Sequence, residues 1–269
     1  MTDKIKSAEE RLQRIQERER SLGVWEGCGS SLKIRENQNA AGALLIHGFG
    51  ASPPEMYVLE EHLFKEGFNV YSVRLSGHAT NVEDFGKSGL ESWLNSAEEA
   101  YDIIADISSS TFIIGQSMGA AISLLLGSQI YPNGIVTLSC ILKFKDRKIK
   151  FTSFGILRLF FPYIKIKVND IDKGYVYDTR PTIAISELLE VRDSMVRNLP
   201  DQQSPLLVIQ AEDDPVIHPE SAEIIISKAG SKVKEIFKLK EGRHRLTTIP
   251  NPNRDILFNR IVSFIKEQS

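Results

Sequence analysis

One pentapeptide has the residue types and spacing needed for nucleophilic catalysis. Residues 115–119 read Gly-Gln-Ser-Met-Gly, directly after an apolar run at 112–114 and directly before a helix-forming run that begins at Ala120. A strand that turns at once into a helix holds its central serine on a tight bend, where flanking glycines avoid side-chain collisions. The hydroxyl then projects above the sheet, near a helix N-terminus that favours developing negative charge. The pattern predicts that Ser117 is a catalytic nucleophile.

A serine hydroxyl is a weak nucleophile, so Ser117 needs a base to take its proton and an acid to orient that base. The histidines available as the base are His47, His62, His78, His218 and His244. Three adjacent acids, Glu212, Asp213 and Asp214, follow an apolar run at 206–211. The chain therefore offers every group that a serine hydrolase needs, with several candidates for the base and for the acid.

Strands and helices alternate on both sides of this motif. Strands are predicted at 31–35, 43–46, 69–74, 111–114, 135–138, 206–211 and 234–239, and helices at 7–20, 53–66, 90–107, 117–129, 219–228 and 254–266. This alternation predicts an α/β fold with a mostly parallel central sheet flanked by helices, which binds ligands beyond the carboxyl ends of its strands. Residues 139–203 are too long for a connection and too apolar for a disordered linker, and they are predicted to form an inserted cap. The expected organisation is an N-terminal helical arm at 1–30 and an α/β core at 31–138 and 204–269, interrupted by that cap.

These motifs give the chain a resemblance to the α/β-hydrolase superfamily, and more narrowly to bacterial carboxylesterases and monoacylglycerol lipases. The markers lie within residues 40–269 and are His47-Gly48-Phe49-Gly50, the pentapeptide at 115–119, Asp214-Pro215-Val216-Ile217-His218-Pro219 and Gly242-Arg243-His244. The superfamily's chain order of serine, acid and histidine implies that His244 is the base. The resemblance also implies that Asp214 is the acid rather than Asp213, because a valine and a proline follow it closely.

By the same resemblance, the backbone N–H groups of Phe49 and Met118 form the oxyanion hole. A physical argument points the same way for Met118, because the residue after the nucleophile presents its amide at a helix start. The assignment of Phe49 rests on the family pattern. No cofactor or metal is expected, since no pair of histidines has ligand spacing on a predicted element and the mechanism needs none.

The predicted cap contains a basic and aromatic stretch at 143–167. It holds eight lysines and arginines against the single acid Asp146, interleaved with six aromatic residues. In one interpretation the stretch is a lid in which the apolar residues of 154–161, Phe160 and Phe161 among them, line an acyl pocket. Its cations would then face water or make transient contact with a lipid surface. In the other interpretation the aromatic side chains form the cap's own core beneath a solvated charged rim.

Composition narrows the classes of function. The 269 residues include 33 basic and 35 acidic side chains, for a formal net charge of −2, so no overall positive charge attracts nucleic acid. The two cysteines, Cys28 and Cys140, lie far apart, which argues against a disulfide framework and indicates a reducing cytoplasm. No signal-peptide core and no apolar run of membrane-spanning length is evident, so a cytoplasmic enzyme without a transmembrane segment is expected.

These observations predict a serine hydrolase that cleaves small-molecule carboxylic esters with short-to-medium acyl chains, or monoacylglycerols, through an acyl-enzyme on Ser117. The first alternative is an amidase or peptidase of the same fold, in which a cap acid would receive a free amine. The candidate acids are Asp170, Asp172, Asp178 and Glu187. The second alternative is a non-catalytic ligand-binding protein, since a fold does not determine a function. The sequence indicates no particular oligomeric state.

Overall fold

A seven-stranded sheet runs through the molecule. The computed structural model describes residues 3–35, 39–146, 149, 160–248 and 251–269. The strands are β1 (Ser31–Lys33), β2 (Gly42–Ile46), β3 (Asn69–Val73), β4 (Thr111–Gln116), β5 (Gly134–Leu138), β8 (Leu206–Ala211) and β9 (Lys234–Leu239). Their order is β1-β3-β2-β4-β5-β8-β9. β1 runs antiparallel to β3 and the other neighbours are parallel, which confirms the mostly parallel sheet predicted above.

Helices flank this sheet. They are α1 (Asp3–Ser21), α2 (Tyr57–Lys65), α3 (Val82–Lys87), α4 (Leu90–Asp106), α5 (Met118–Ile130), α6 (Thr182–Asn198), α7 (Glu220–Lys228) and α8 (Arg254–Gln268). Successive strand residues point to opposite faces of a sheet, and each face packs against its own helices. Leu44 joins the apolar cluster that contains residues of α4, α5 and α6, whereas Leu45 joins the cluster that contains residues of α2 and α8. Within the described ranges, no helix is both long and apolar enough to cross a membrane.

The first helix is fastened to the sheet by a buried ion pair. Glu19 is 3% exposed, and its Oε1 lies 3.1 Å from Nε of Arg74 at the end of β3. Its other contacts are to Ser30, whose backbone N–H and hydroxyl donate at 2.9 and 2.8 Å. Glu19 is buried although it lies in the segment 7–20, in which most residues are polar or charged. A glutamate among many charged residues gives no local sign of a partner 55 positions away.

Between β5 and β8 the chain leaves the main sheet. Strands β6 (Tyr163–Lys165) and β7 (Thr179–Pro181) pair antiparallel, and α6 then packs against α5, the helix that begins after Ser117. The buried residues of α6 include Ala184, Leu188, Val191 and Met195, which recur at helical spacing on one face. Residues 147–148 and 150–159 lie outside the described ranges, and with them most of the apolar stretch at 154–161. The division of the chain into arm, core and cap stays a prediction.

Candidate active site

Ser117 lies on a strained bend between β4 and α5. Its backbone has φ 57° and ψ −110°, a conformation that residues other than glycine rarely adopt. A Cβ atom on Gly115 would lie 2.2 Å from the carbonyl oxygen of Gly119, and one on Gly119 would lie 2.2 Å from that of Ile46. Side chains therefore do not fit at either position, which is the physical basis of the Gly-x-Ser-x-Gly pattern. The bend presents the Ser117 hydroxyl at the carboxyl end of β4.

The structure brings Ser117, His244 and Asp214 together from three separate loops. Nε2 of His244 lies 2.9 Å from Oγ of Ser117, and Nδ1 of His244 lies 2.9 Å from Oδ2 of Asp214. Asp214 is completely buried and Ser117 is 8% exposed. A carboxylate that accepts from Nδ1–H leaves Nε2 free to accept a proton. The arrangement is therefore suited to removing the proton of the Ser117 hydroxyl.

The surroundings of Asp214 keep its carboxylate ionised. Oδ1 accepts from the backbone N–H groups of Val216 at 2.8 Å and Ile217 at 3.0 Å, and Gln210 donates to Oδ2 at 3.1 Å. Burial alone would raise the pKa of Asp214. The hydrogen bond from His244, the electrostatic effect of His244 and the backbone N–H groups of Ile217 and Val216 outweigh burial, so the pKa of Asp214 lies below its ordinary value. The ionised form is the one that can hold Nδ1–H of His244.

The neighbouring Asp213 makes different contacts. Its Oδ1 accepts from the backbone N–H groups of Gly242 at 3.0 Å and Arg243 at 2.8 Å, just before His244. Arg243 has a positive φ of 56°, so the chain bends sharply at this point. Asp213 therefore holds the loop that carries His244, while Asp214 binds the imidazole itself.

The loop with Phe49 passes beside Ser117. A Cβ atom on Gly48 would lie 3.4 Å from Cβ of Ser117, and the backbone N–H of Gly48 donates to Oε2 of the buried Glu55 at 2.6 Å. Met118 is the first residue of α5, where backbone N–H groups have no partner within the helix. The backbone N–H groups of Phe49 and Met118 thus belong to segments that lie next to Ser117. Their role as an oxyanion hole stays a prediction.

The histidines His47 and His78 are packed behind this loop. Their rings lie 4.9 Å apart and both side chains are completely buried. His47 accepts from the backbone N–H of Leu75 at Nε2, at 3.2 Å, and its Nδ1 lies 2.9 Å from the carbonyl oxygen of Gly48. Burial lowers the pKa of His47 to about 4 and that of His78 well below its ordinary value. Both rings are therefore neutral. His47 connects the Phe49 loop to the chain after β3 through its bond to Leu75, and the His78 ring packs against it.

Residues before β7 contact the loop that carries His244. Asp172 forms an ion pair with Arg245, the residue after His244, and accepts from the hydroxyl of Tyr175 at 2.6 Å. Among the acids considered above for binding an amine, Asp172 is the one held against this loop, and its charge is already paired. Glu187 accepts instead from the backbone N–H of Leu90 at 3.1 Å.

The two aromatic residues predicted to bind substrate are largely in solvent. Phe160 is 72% exposed and Phe161 is 65% exposed, and residues 150–159 just before them are outside the described ranges. Their contribution to an acyl pocket therefore stays a prediction. In the described part of the chain, no group of three or more His, Cys, Asp and Glu residues is arranged to hold a metal ion.

Several contacts of this site left no signal in the sequence. Glu55, Asp172 and Arg245 are charged residues that belong to no recognisable motif, and their partners lie up to 73 positions away. A sequence pattern can indicate the reacting groups because the chemistry demands those residue types. A sequence pattern does not indicate a supporting ion pair such as Asp172 with Arg245, because that role does not require a particular motif.

A serine on a strained strand-to-helix bend, hydrogen-bonded to a histidine and a buried aspartate, is the arrangement characteristic of α/β-hydrolases. Residues 37–250 match the sequence model of the Hydrolase_4 family, described as serine aminopeptidase, S33, and the chain belongs to this family. The resemblance inferred from the motifs is thereby confirmed. The chain is a hydrolase with the α/β-hydrolase fold.

Two curated relatives extend over most of the chain. A thermostable monoacylglycerol lipase from Bacillus sp. (strain H-257) is 30% identical over 209 residues, which are 77% of this chain and 83% of the relative. A carboxylesterase from Bacillus subtilis (strain 168) is 23% identical over 229 residues, 83% of this chain and 92% of the relative. A solved structure from work on LipS and LipT, two metagenome-derived lipolytic enzymes, has a TM-score of 0.82 at 24% identity and covers 91% of this chain and 99% of its own. The similarity to this solved structure is evidence for the fold alone.

Proposed function

We propose that this enzyme hydrolyses carboxylic esters with short-to-medium acyl chains, or monoacylglycerols, through an acyl-enzyme on Ser117. The observation that carries the proposal is the continuous hydrogen-bonded series from Ser117 through His244 to the buried Asp214. The names of the two curated relatives, a monoacylglycerol lipase and a carboxylesterase, support the ester as the substrate class.

In the first half of the proposed reaction, Oγ of Ser117 attacks the ester carbonyl carbon while Nε2 of His244 takes the hydroxyl proton. Asp214 stabilises the imidazolium that forms. The carbonyl oxygen becomes negatively charged and accepts from the backbone N–H groups of Met118 and Phe49. One such donor contributes roughly a hundredfold to a thousandfold in kcat. His244 then protonates the leaving alcohol, and the acyl group stays on Ser117.

In the second half, water replaces the alcohol. His244 takes a proton from the water molecule as its oxygen attacks the acyl carbon, and the same two backbone amides bind the oxyanion again. Collapse of this intermediate returns the proton to Oγ of Ser117 and releases the carboxylic acid. Apart from the ester and water, every step uses groups of the chain itself, so the proposal requires neither a metal nor a cofactor.

The proposal is tested by turnover of matched substrates. We expect measurable hydrolysis of p-nitrophenyl butyrate and of a monoacylglycerol, and much slower hydrolysis of alanine p-nitroanilide. The description of the family as serine aminopeptidase makes amide hydrolysis the second candidate. Against it, Asp172 already has its charge paired with Arg245. A higher kcat/KM for the anilide would favour the peptidase, and no turnover of either class would favour a ligand-binding protein.

The pH dependence of this reaction follows from its base. His244 must be unprotonated to accept the Ser117 proton, so kcat/KM falls as acid protonates the imidazole of the free enzyme. The lowered pKa of Asp214 keeps that carboxylate ionised, and His47, with its pKa lowered to about 4, stays neutral. We expect kcat/KM to show one acid limb, with full activity above it. Activity that stays flat down to pH 4 would contradict a histidine base.

The acyl preference is proposed to depend on Phe160 and Phe161. Each methylene group placed in an apolar pocket contributes roughly 0.8 kcal/mol, which corresponds to about fourfold in kcat/KM. We expect kcat/KM to rise from acetate toward medium chains, and the ratio of hexanoate to acetate to fall severalfold when both phenylalanines are replaced by alanine. Ile256→Ala is a matched control, because Ile256 is a 59% exposed apolar residue on α8. An unchanged ratio in the double variant would place the two phenylalanines outside the pocket.

The exposed Phe160, Phe161 and Tyr163, with Lys165 and Lys167 following, also support transient contact with a lipid surface that presents monoacylglycerols. The reducing cytoplasm is the proposed location. It is supported by the free and buried thiols of Cys28 and Cys140.

A further inference from the structure

The nucleophile motif contains a second polar side chain, Gln116, which is completely buried at the end of β4. Its Nε2 donates to the carbonyl oxygen of His244 at 2.8 Å and to that of Leu138 at 3.3 Å. Its Oε1 accepts from the backbone N–H of Leu246 at 3.1 Å. One side-chain amide therefore binds the backbone of the histidine loop at His244 and again two residues later.

The loop that carries His244 has no regular secondary structure from 241 to 248. Its position therefore depends on bonds made by side chains of other segments. Asp213 holds the first part through the N–H groups of Gly242 and Arg243, and Gln116 holds the second part. Gln116 is the last residue of β4, and Ser117 follows it directly. The base and the nucleophile are thus both located relative to the end of β4.

We propose that Gln116 is a positioning residue, which sets the imidazole of His244 at reacting distance from Ser117 by binding the backbone of the histidine loop. The proposal rests on the proposed function, since it takes His244 as the base. It requires both ends of the amide, a donor for the His244 carbonyl and an acceptor for the Leu246 N–H. A side chain of the same size without these groups would fill the space and remove the bonds between β4 and the loop, while the bonds of Asp213 and the ion pair of Asp172 with Arg245 remain.

Two nearly isosteric substitutions test this requirement. Gln116→Met removes every hydrogen bond of the side chain, and Gln116→Glu keeps an acceptor for Leu246 but, when ionised, cannot donate to the His244 carbonyl. Misplacement of a reacting group by about 1 Å typically costs on the order of a hundredfold. We expect kcat to fall roughly a hundredfold in Gln116→Met, and in Gln116→Glu at a pH high enough to ionise the buried carboxyl, while KM changes less than about threefold. The rate of labelling by a fluorophosphonate should fall by the same factor as kcat.

Gln202→Met is the matched control. Gln202 is also completely buried and donates to the carbonyl oxygen of Ser204 at 3.2 Å. It precedes β8, at the opposite end of the sheet from Ser117. We expect this variant to keep the wild-type kcat and labelling rate, and the melting temperatures of both variants are measured to show that each is folded. A general effect of losing a buried amide would instead lower the activity of both variants alike.

A second readout does not depend on turnover. The proton on Nδ1 of His244, shared with Asp214, should give a downfield proton NMR signal that is assigned by its loss in Asp214→Asn. We expect this signal to shift or broaden in Gln116→Met and to persist in Gln202→Met. An unchanged signal with kcat within threefold of wild type in Gln116→Met would overturn the proposal, as would a change confined to KM. If the wild-type enzyme hydrolyses no ester, the proposed function fails, and the NMR comparison still tests the positioning.

Discussion

Replacing Ser117 with alanine should abolish ester hydrolysis and leave the fold intact. In the proposed mechanism the Ser117 hydroxyl attacks the ester after His244 takes its proton, and alanine has no group that can do this. In enzymes of this type, loss of the serine lowers kcat by about 10⁶, and the residual rate comes from the oxyanion hole and substrate binding. The alanine side chain keeps the backbone bend and loses one hydrogen bond, which is typically worth about 1 kcal/mol.

The measurement is kcat/KM for p-nitrophenyl butyrate, together with the melting temperature of each protein. A clean preparation of Ser117→Ala with more than about a tenth of wild-type kcat would be incompatible with a nucleophilic serine. Loss of activity together with loss of the folded state would leave the role undecided, and a melting temperature within a few degrees of wild type is therefore part of the expected result.

The second large effect distinguishes two adjacent aspartates. Asp214→Asn should lower kcat by about 10⁴, because an amide does not hold the imidazole in the tautomer that accepts at Nε2. Asp213→Asn should cost less than about tenfold, since the asparagine oxygen can still accept from the N–H groups of Gly242 and Arg243, as Asp213 does. The two substitutions are chemically identical and one position apart, so each is a control for the other.

The comparison is made at a pH above the acid limb, where the wild-type base is unprotonated. Equal losses in the two variants would mean that orientation of His244 does not depend on Asp214 in particular. A larger loss in Asp213→Asn would make Asp213 the orienting acid and would require the loop to differ in solution.

The central sheet was predictable because its inner strands are short, mostly apolar runs that alternate with helical segments. β8 and β9 occupy 206–211 and 234–239, the ranges predicted for them. A parallel sheet buries both faces of its inner strands, and β2, β4, β5 and β8 are buried throughout, whereas the edge strands β1 and β9 are only partly buried. The helix α6 was missed, since residues 139–203 were interpreted only as an insertion between strands. Its apolar residues do recur at helical spacing, and a search within the insertion for that period would have found it.

The candidate site could be predicted from the sequence for a different reason. Ser117 lies between two glycines, and a Cβ atom at either one would lie about 2.2 Å from a carbonyl oxygen. The bend therefore requires glycine at both positions, and the local sequence indicates it. The choice of Asp214 over Asp213 came from family resemblance, because two adjacent carboxylates have the same chemistry. The bonds of Gln116 to residues about 130 positions away could not be foreseen, since they depend on how distant loops meet at the end of the sheet.

The most direct test of the account is the site at which a fluorophosphonate modifies the protein. The intact wild-type enzyme is treated with the reagent, and the adduct is counted by mass and located by peptide mapping, alongside Ser117→Ala and His244→Ala. We predict one adduct for each chain, on Ser117, none in Ser117→Ala and greatly slowed labelling in His244→Ala. An adduct on another residue, or an active enzyme that the reagent does not modify, would contradict the assignment of Ser117 as the nucleophile.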